Sequence, residues 1–97
     1  MLQEEVTMRA SNQFIMREIA GEYLLVPVGA AASKFNGLIT MNEIGNFIFQ
    51  TLQTEQTEET LVDAILGEYE IDRETAQNDL REFLQQMREI GALVEQA

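Results

Sequence analysis

The chain contains no cysteine and no histidine. Those absences exclude disulfides, thiolate nucleophiles, Ser-His-Asp triads and the usual zinc or iron ligand sets, while leaving the redox compartment open. Basic residues are scarce: 6 lysines and arginines stand against 17 acidic residues, for a net charge of −11. Such a field repels phosphate backbones and anionic lipid, which argues against nucleic acid and membrane surfaces as partners. It also keeps a small protein soluble. No apolar run approaches the ~20 residues of a membrane span. The polar start Met1-Leu-Gln-Glu-Glu5 lacks the basic and apolar regions of a signal peptide. The expectation is a cytoplasmic protein without metal or cofactor.

What is present fits one domain of 97 residues, with 45% hydrophobic and 24% charged residues. A chain of this size buries a core but has little room for a deep catalytic cleft. Residues 1–13 are polar and without period, and are expected to form a loose arm, with Val6 and Met8 able to edge onto a sheet. A single domain is expected over 14–97.

Phe14–Ile19 and the apolar run Glu22-Tyr-Leu-Leu-Val26, separated by a short turn, predict a β-hairpin. Pro27 cannot donate a ladder hydrogen bond, so it marks a strand end or an edge. The small residues Gly29-Ala-Ala-Ala-Ser33 predict a flexible loop. A third strand is expected over Phe35–Met41, with Phe35, Gly37, Ile39 and Met41 on one face and Asn36, Leu38 and Thr40 on the other. Gly37 marks either a bulge or a close approach of another backbone.

At Asn42 the apolar period changes from that of strands to that of helices. Asn42 is a good N-cap for a helix over 43–53, with Ile44, Phe47, Ile48 and Leu52 on one stripe. Thr57 caps a second helix bearing Leu61, Val62, Ile65 and Leu66, and Asp72 caps a third. That third helix carries Ala76, Leu80, Phe83, Leu84, Met87 and Ile90 at three-four spacing, and Gly91 is placed to end it. Leu93-Val94 predicts a short extended tail against the sheet. The fold class is therefore α+β, a small winged helix-turn-helix-like domain: a three-stranded antiparallel sheet followed by three helices, βββααα.

Nothing in this pattern assembles a catalytic site. Glu58 and Glu59 are adjacent and serve the helix N-terminus, while Asp79, Glu82 and Glu89 have the look of a solvated face. Gly29–Ser33 lacks the Gly-Lys-Ser/Thr ending of a phosphate-binding loop. DNA recognition by the third helix is disfavoured, because Glu74, Gln77, Asp79, Glu82, Gln85 and Glu89 outweigh Arg73, Arg81 and Arg88. A small sheet does have edges with unpaired N–H and C=O groups. Either the tail or arm covers them, or an extended peptide adds to one as a further strand.

Arg17-Glu-Ile-Ala-Gly-Glu-Tyr23, Leu25-Val-Pro-Val-Gly29, Phe35-Asn-Gly-Leu-Ile39 and Met41-Asn-Glu-Ile-Gly-Asn-Phe-Ile48 together resemble the PqqD family. Thr57-Glu-Glu-Thr-Leu-Val62, Tyr69-Glu-Ile-Asp72, Asp79-Leu-Arg-Glu-Phe-Leu84 and Gly91-Ala-Leu-Val94 extend the likeness over residues 14 to 94. The resemblance implies a non-catalytic peptide chaperone, or precursor-peptide recognition element. Such a protein binds the leader of a ribosomally synthesised peptide by β-strand addition and presents it to a modifying enzyme, commonly a radical SAM maturase. It implies a groove between the third strand and the third helix. The strand side maps onto Asn36, Gly37, Leu38, Ile39 and Thr40. The helix side maps onto Leu80, Phe83, Leu84 and Met87, with Arg81 and Arg88 as contacts to acidic leader residues. Core packing is the competing fate of the helix apolars. The other functional readings are a structural or regulatory subunit docking on an enzyme and, less favoured, a winged-helix transcription regulator. A monomer and a homodimer through an unpaired edge are both compatible with the sequence.

Overall fold

A computed structural model of the chain describes residues 5–34 and 38–96. Its elements are β1 (Thr7–Ala10), β2 (Phe14–Ile19), β3 (Glu22–Pro27), α1 (Ala30–Lys34), β4 (Ile39–Met41), α2 (Glu43–Thr51), α3 (Glu58–Glu68), α4 (Arg73–Glu89) and β5 (Leu93–Gln96). The fold is α+β. An antiparallel sheet in the order β2-β3-β4 and a separate two-stranded ribbon, β1-β5, accompany the helices.

The hairpin expected from the two apolar runs is present. Ala20 and Gly21 join β2 to β3 with φ of 53° and 82°, the positive values that a two-residue type I′ turn demands. Ile19 faces Glu22 across that turn and Arg17 faces Leu24 two residues on. Phe14 and Leu25 point into the core, while Ile15 and Val26 pair on the outer face.

Each long helix starts where a side chain takes over an orphan amide. Asn42 Oδ1 accepts from the Gly45 N–H at 2.7 Å, and Asp72 Oδ1 accepts from the Thr75 N–H at 2.8 Å. Thr57 and Thr60 cap each other reciprocally at the start of α3. The end of α4 is set by Gly91 at φ 77°, with the Ala92 N–H donating to the Met87 carbonyl at 2.9 Å.

These elements close over one core. Leu25 from the sheet, Ile48 and Leu52 from the α2 region, Leu61 and Ile65 from α3, and Leu80, Leu84 and Met87 from α4 are its most enclosed large side chains. Burial of this kind is worth about 1.5–3 kcal/mol per side chain and holds α4 against the sheet.

Three local expectations are corrected. Thr7–Ala10, placed in a loose arm, forms β1, and Met8 and Ala10 are buried. Its alternation is only four residues long and its partner lies at the other end of the chain, so no local period reveals it. The tail Leu93–Gln96 pairs with β1 rather than with the three-stranded sheet. Ala30–Lys34, expected as a flexible loop, forms the short helix α1; alanine has the highest helix propensity and needs no apolar stripe for one turn. Of the expected third strand, residues 35–37 lie outside the described residues, and the described part is Ile39–Met41.

Candidate functional site

The hydrogen-bond register of the sheet fixes what β4 offers to its surroundings. In a two-residue hairpin the closing pair, Ile19 and Glu22, exchanges backbone bonds. Alternation then turns Leu24, Val26 and Val28 toward β2, and the Val28 N–H indeed donates to the Gln13 carbonyl at 2.8 Å. Tyr23 and Leu25 turn the other way, toward Met41 and Ile39 of β4. Ile39 and Met41 therefore direct their backbone groups to β3. Thr40, opposite Leu24, directs its N–H and C=O outward from the sheet. β4 is the last strand of its sheet, so among the described residues no strand pairs on that side.

Beside this edge runs a groove of about 200 Å³, walled by Thr40, Met41 and Asn42 on one side and by Asp79, Glu82, Phe83 and Gln86 of α4 on the other, with Ile44, Gly45 and Ile48 of α2 between them. The Asn42 cap positions the first turn of α2 as its floor. Gly45 lets that turn come close: a Cβ there would stand 3.4 Å from both Met41 Sδ and Phe83 Cδ1, and 3.1 Å from Asn42 Oδ1.

Geometry separates the α4 residues proposed from sequence into three faces, because successive residues advance by about 100°. Leu80, Leu84 and Met87 point into the core and are buried. Phe83 is at the border; it is only 6% exposed, yet its ring lines the groove. Arg81 and Arg88 lie about half a turn from Asp79 and Gln86, and both are engaged elsewhere. Arg81 Nε donates to Glu58 Oε1 at 2.8 Å, and Arg88 donates to both carboxylate oxygens of Glu95 at 2.8 and 3.1 Å. The Arg88 hydrogen bond holds the Glu95 carboxyl below the usual carboxylate range and raises the guanidinium's own pKa.

On the strand side, Leu38 is 59% exposed and Thr40 is exposed, while Ile39 packs partly against the core. Asn36 and Gly37 lie outside the described residues. The groove contains residues that the apolar stripe of α4 could not reveal: Asp79, Glu82 and Gln86, with Met41, Ile44 and Gly45 opposite. The signal was available, since 79, 82, 83 and 86 follow three-four spacing on a face of their own. Polar residues at that spacing have the same pattern whether they face open solvent or line a groove. Among the described residues no set of acidic side chains is grouped to hold a metal ion, and no helix is long and apolar enough to cross a membrane.

Residues 22–93 match the family described as Coenzyme PQQ synthesis protein D (PqqD). Comparison with curated proteins returns no match. Among solved structures, the chain is similar to TbiB1 in complex with the TbiA(beta) leader peptide, with 27% identity over 88% of this chain and 93% of that one and a TM-score of 0.68. It shares its fold with lasso peptide synthetase B1 complexed with the leader peptide, with a TM-score of 0.70 at 16% identity over 90% of this chain and 96% of that one. The family match spans well over half of the chain: this protein belongs to the PqqD family.

Proposed function

We propose that this PqqD-family chain is a non-catalytic recognition protein that binds the leader segment of a ribosomally synthesised precursor peptide and presents it to a modifying enzyme. The leader lies in the groove between β4 and α4 as an added strand. One observation carries this reading: the outward N–H and C=O of Thr40 stand at an edge on which no strand pairs among the described residues, directly beside a groove walled by Phe83 and Ile44. Backbone bonds along such an edge supply affinity, and the adjoining groove receives alternate side chains. Family membership and the 27%-identical leader-peptide complex support it.

The modifying enzyme we propose is a radical SAM maturase. The chain itself acts by binding, in the cytoplasm, as a monomer whose β4 edge is kept for the peptide. Asn36, Gly37, Leu38, Ile39 and Thr40 form the strand side of the site. On the helix side Phe83 makes the contact, and Leu80, Leu84 and Met87 hold it in place from the core.

The test is a titration of the isotopically labelled chain with synthetic leader peptides from precursor genes next to its own. Amides of Leu38 to Met41 shift on binding, and Thr40→Pro, which deletes the outward donor, abolishes the shifts. Peptide binding that leaves these amides unmoved, or that survives Thr40→Pro undiminished, contradicts the reading.

A further inference from the structure

Strand addition to β4 uses backbone groups, which every peptide has, so preference among leaders has to come from the side-chain wall. That wall is acidic. Asp79 and Glu82 are three residues apart on α4 and therefore neighbours on one face. Among the described residues no basic side chain pairs with either. The three arginines of α4 are each taken by another carboxylate: Arg73 by Asp63 at 3.0 Å, Arg81 by Glu58 at 2.8 Å and Arg88 by Glu95 at 2.8 Å.

We propose that Asp79 and Glu82 select leaders carrying a lysine or arginine side chain opposite them, next to an apolar side chain seated against Phe83 and Ile44. This rests on the leader-binding reading above and specifies its substrate. Asp79 is already half-buried, and a peptide laid over it removes more of its water. Covering a carboxylate without a partner is costly, whereas a cation brought by the guest forms a charge-assisted pair in the same place. An acidic guest residue meets repulsion there and from the chain's net charge of −11, which steers cationic peptides inward before contact. This proposal differs from the expectation from sequence, in which Arg81 and Arg88 meet acidic leader residues; both arginines donate to carboxylates of their own, Glu58 and Glu95.

The experiment is a random-peptide mRNA-display selection against three proteins: the natural chain, the Asp79→Asn/Glu82→Gln double variant and Thr40→Pro. Both acidic positions are replaced by isosteric amides on the surface, and circular dichroism verifies that the variants are folded. Sequences enriched on the natural chain show a Lys/Arg column at fixed spacing from an apolar column, and the basic column disappears on the double variant. A selected peptide resynthesised with Glu for that Lys binds the natural chain about fivefold or more weakly, and the double variant nearly unchanged. Peptides that depend on Thr40 but carry no basic column, or keep it on the double variant, overturn the selectivity and leave leader binding standing. If no recovered peptide depends on Thr40, leader binding at β4 falls and the selectivity falls with it.

Discussion

β1 and β4 are both short strands with a side turned away from their ladder partner, yet the chain treats them in opposite ways. Thr7 and Arg9 of β1 turn to β5, and the other side is closed by the chain itself. Met8 exchanges backbone hydrogen bonds with Gln56 at 2.7 and 2.8 Å, and the Ala10 N–H donates to the Leu52 carbonyl at 2.8 Å. The connection between α2 and α3 thus serves as a cap along that edge, so β1 has no free side. β4 has three residues and, among the described residues, pairs only with β3, its outer side lying next to a groove with no strand on it. A buried backbone group has to be paired, and an exposed sheet edge invites pairing with another chain. The first rule explains β1; the second makes β4 the edge at which we propose that a peptide adds.

Proline is the sharpest probe of that contrast, because it deletes one backbone donor. Ala10→Pro removes a buried bond and leaves the Leu52 carbonyl unpaired, with an expected loss of about 1–3 kcal/mol in urea denaturation. Thr40→Pro deletes a donor that faces solvent and sits at an edge, where proline is tolerated. Its stability is expected to stay within about 1 kcal/mol, since no internal bond is lost. Its affinity for peptide, measured by calorimetry, should fall at least about tenfold. Equal stability losses at the two positions would mean that the β4 edge is engaged after all.

Asn42 joins the open edge to the helix that floors its groove. Asn42→Ala removes the cap on Gly45 and should cost about 1 kcal/mol. It should also weaken peptide binding, because the first turn of α2 loosens beneath the guest. The smallest effect concerns the closed ribbon. Glu95 on β5 is held by Arg88, and its depressed pKa means that folding favours the ionised carboxylate. Its contribution is therefore present above the ordinary carboxylate range and lost as pH falls through the lowered folded value. Both side chains are partly exposed, so the effect is small and screened by salt. Comparing acid denaturation of the natural chain with Glu95→Gln should show a slightly shallower acid-side loss in the variant.

Local chemistry made much of this fold readable. Asn42, Thr57 and Asp72 start helices and Gly91 ends one because each feature is decided within a few residues. The β2–β3 hairpin is likewise local. β1 was legible only as the ability of Val6 and Met8 to edge onto a sheet, and β5 as an extended tail; their pairing was not, since four residues meet a strand more than eighty positions later. α1 leaves no periodic signal in the sequence, because a single alanine-rich turn has no apolar stripe. β4 falls within the strand expected over 35–41. The division of α4 into faces was not legible, because an apolar stripe identifies the core face and says nothing about how the polar faces differ. The sequence does not reveal that Arg81 pairs with Glu58 and Arg88 with Glu95, because those partners come from α3 and β5.

In the proposed binding mode the outward backbone of Thr40 is open in the free chain and closed by a leader peptide. Amide hydrogen exchange at Thr40, followed by NMR without and with saturating peptide, tests it most directly. Rapid exchange is expected in the free chain, slower than an unstructured amide by little, with strong protection in the complex. A Thr40 amide already protected in the free chain, or one that stays fast in a saturated complex, would contradict it.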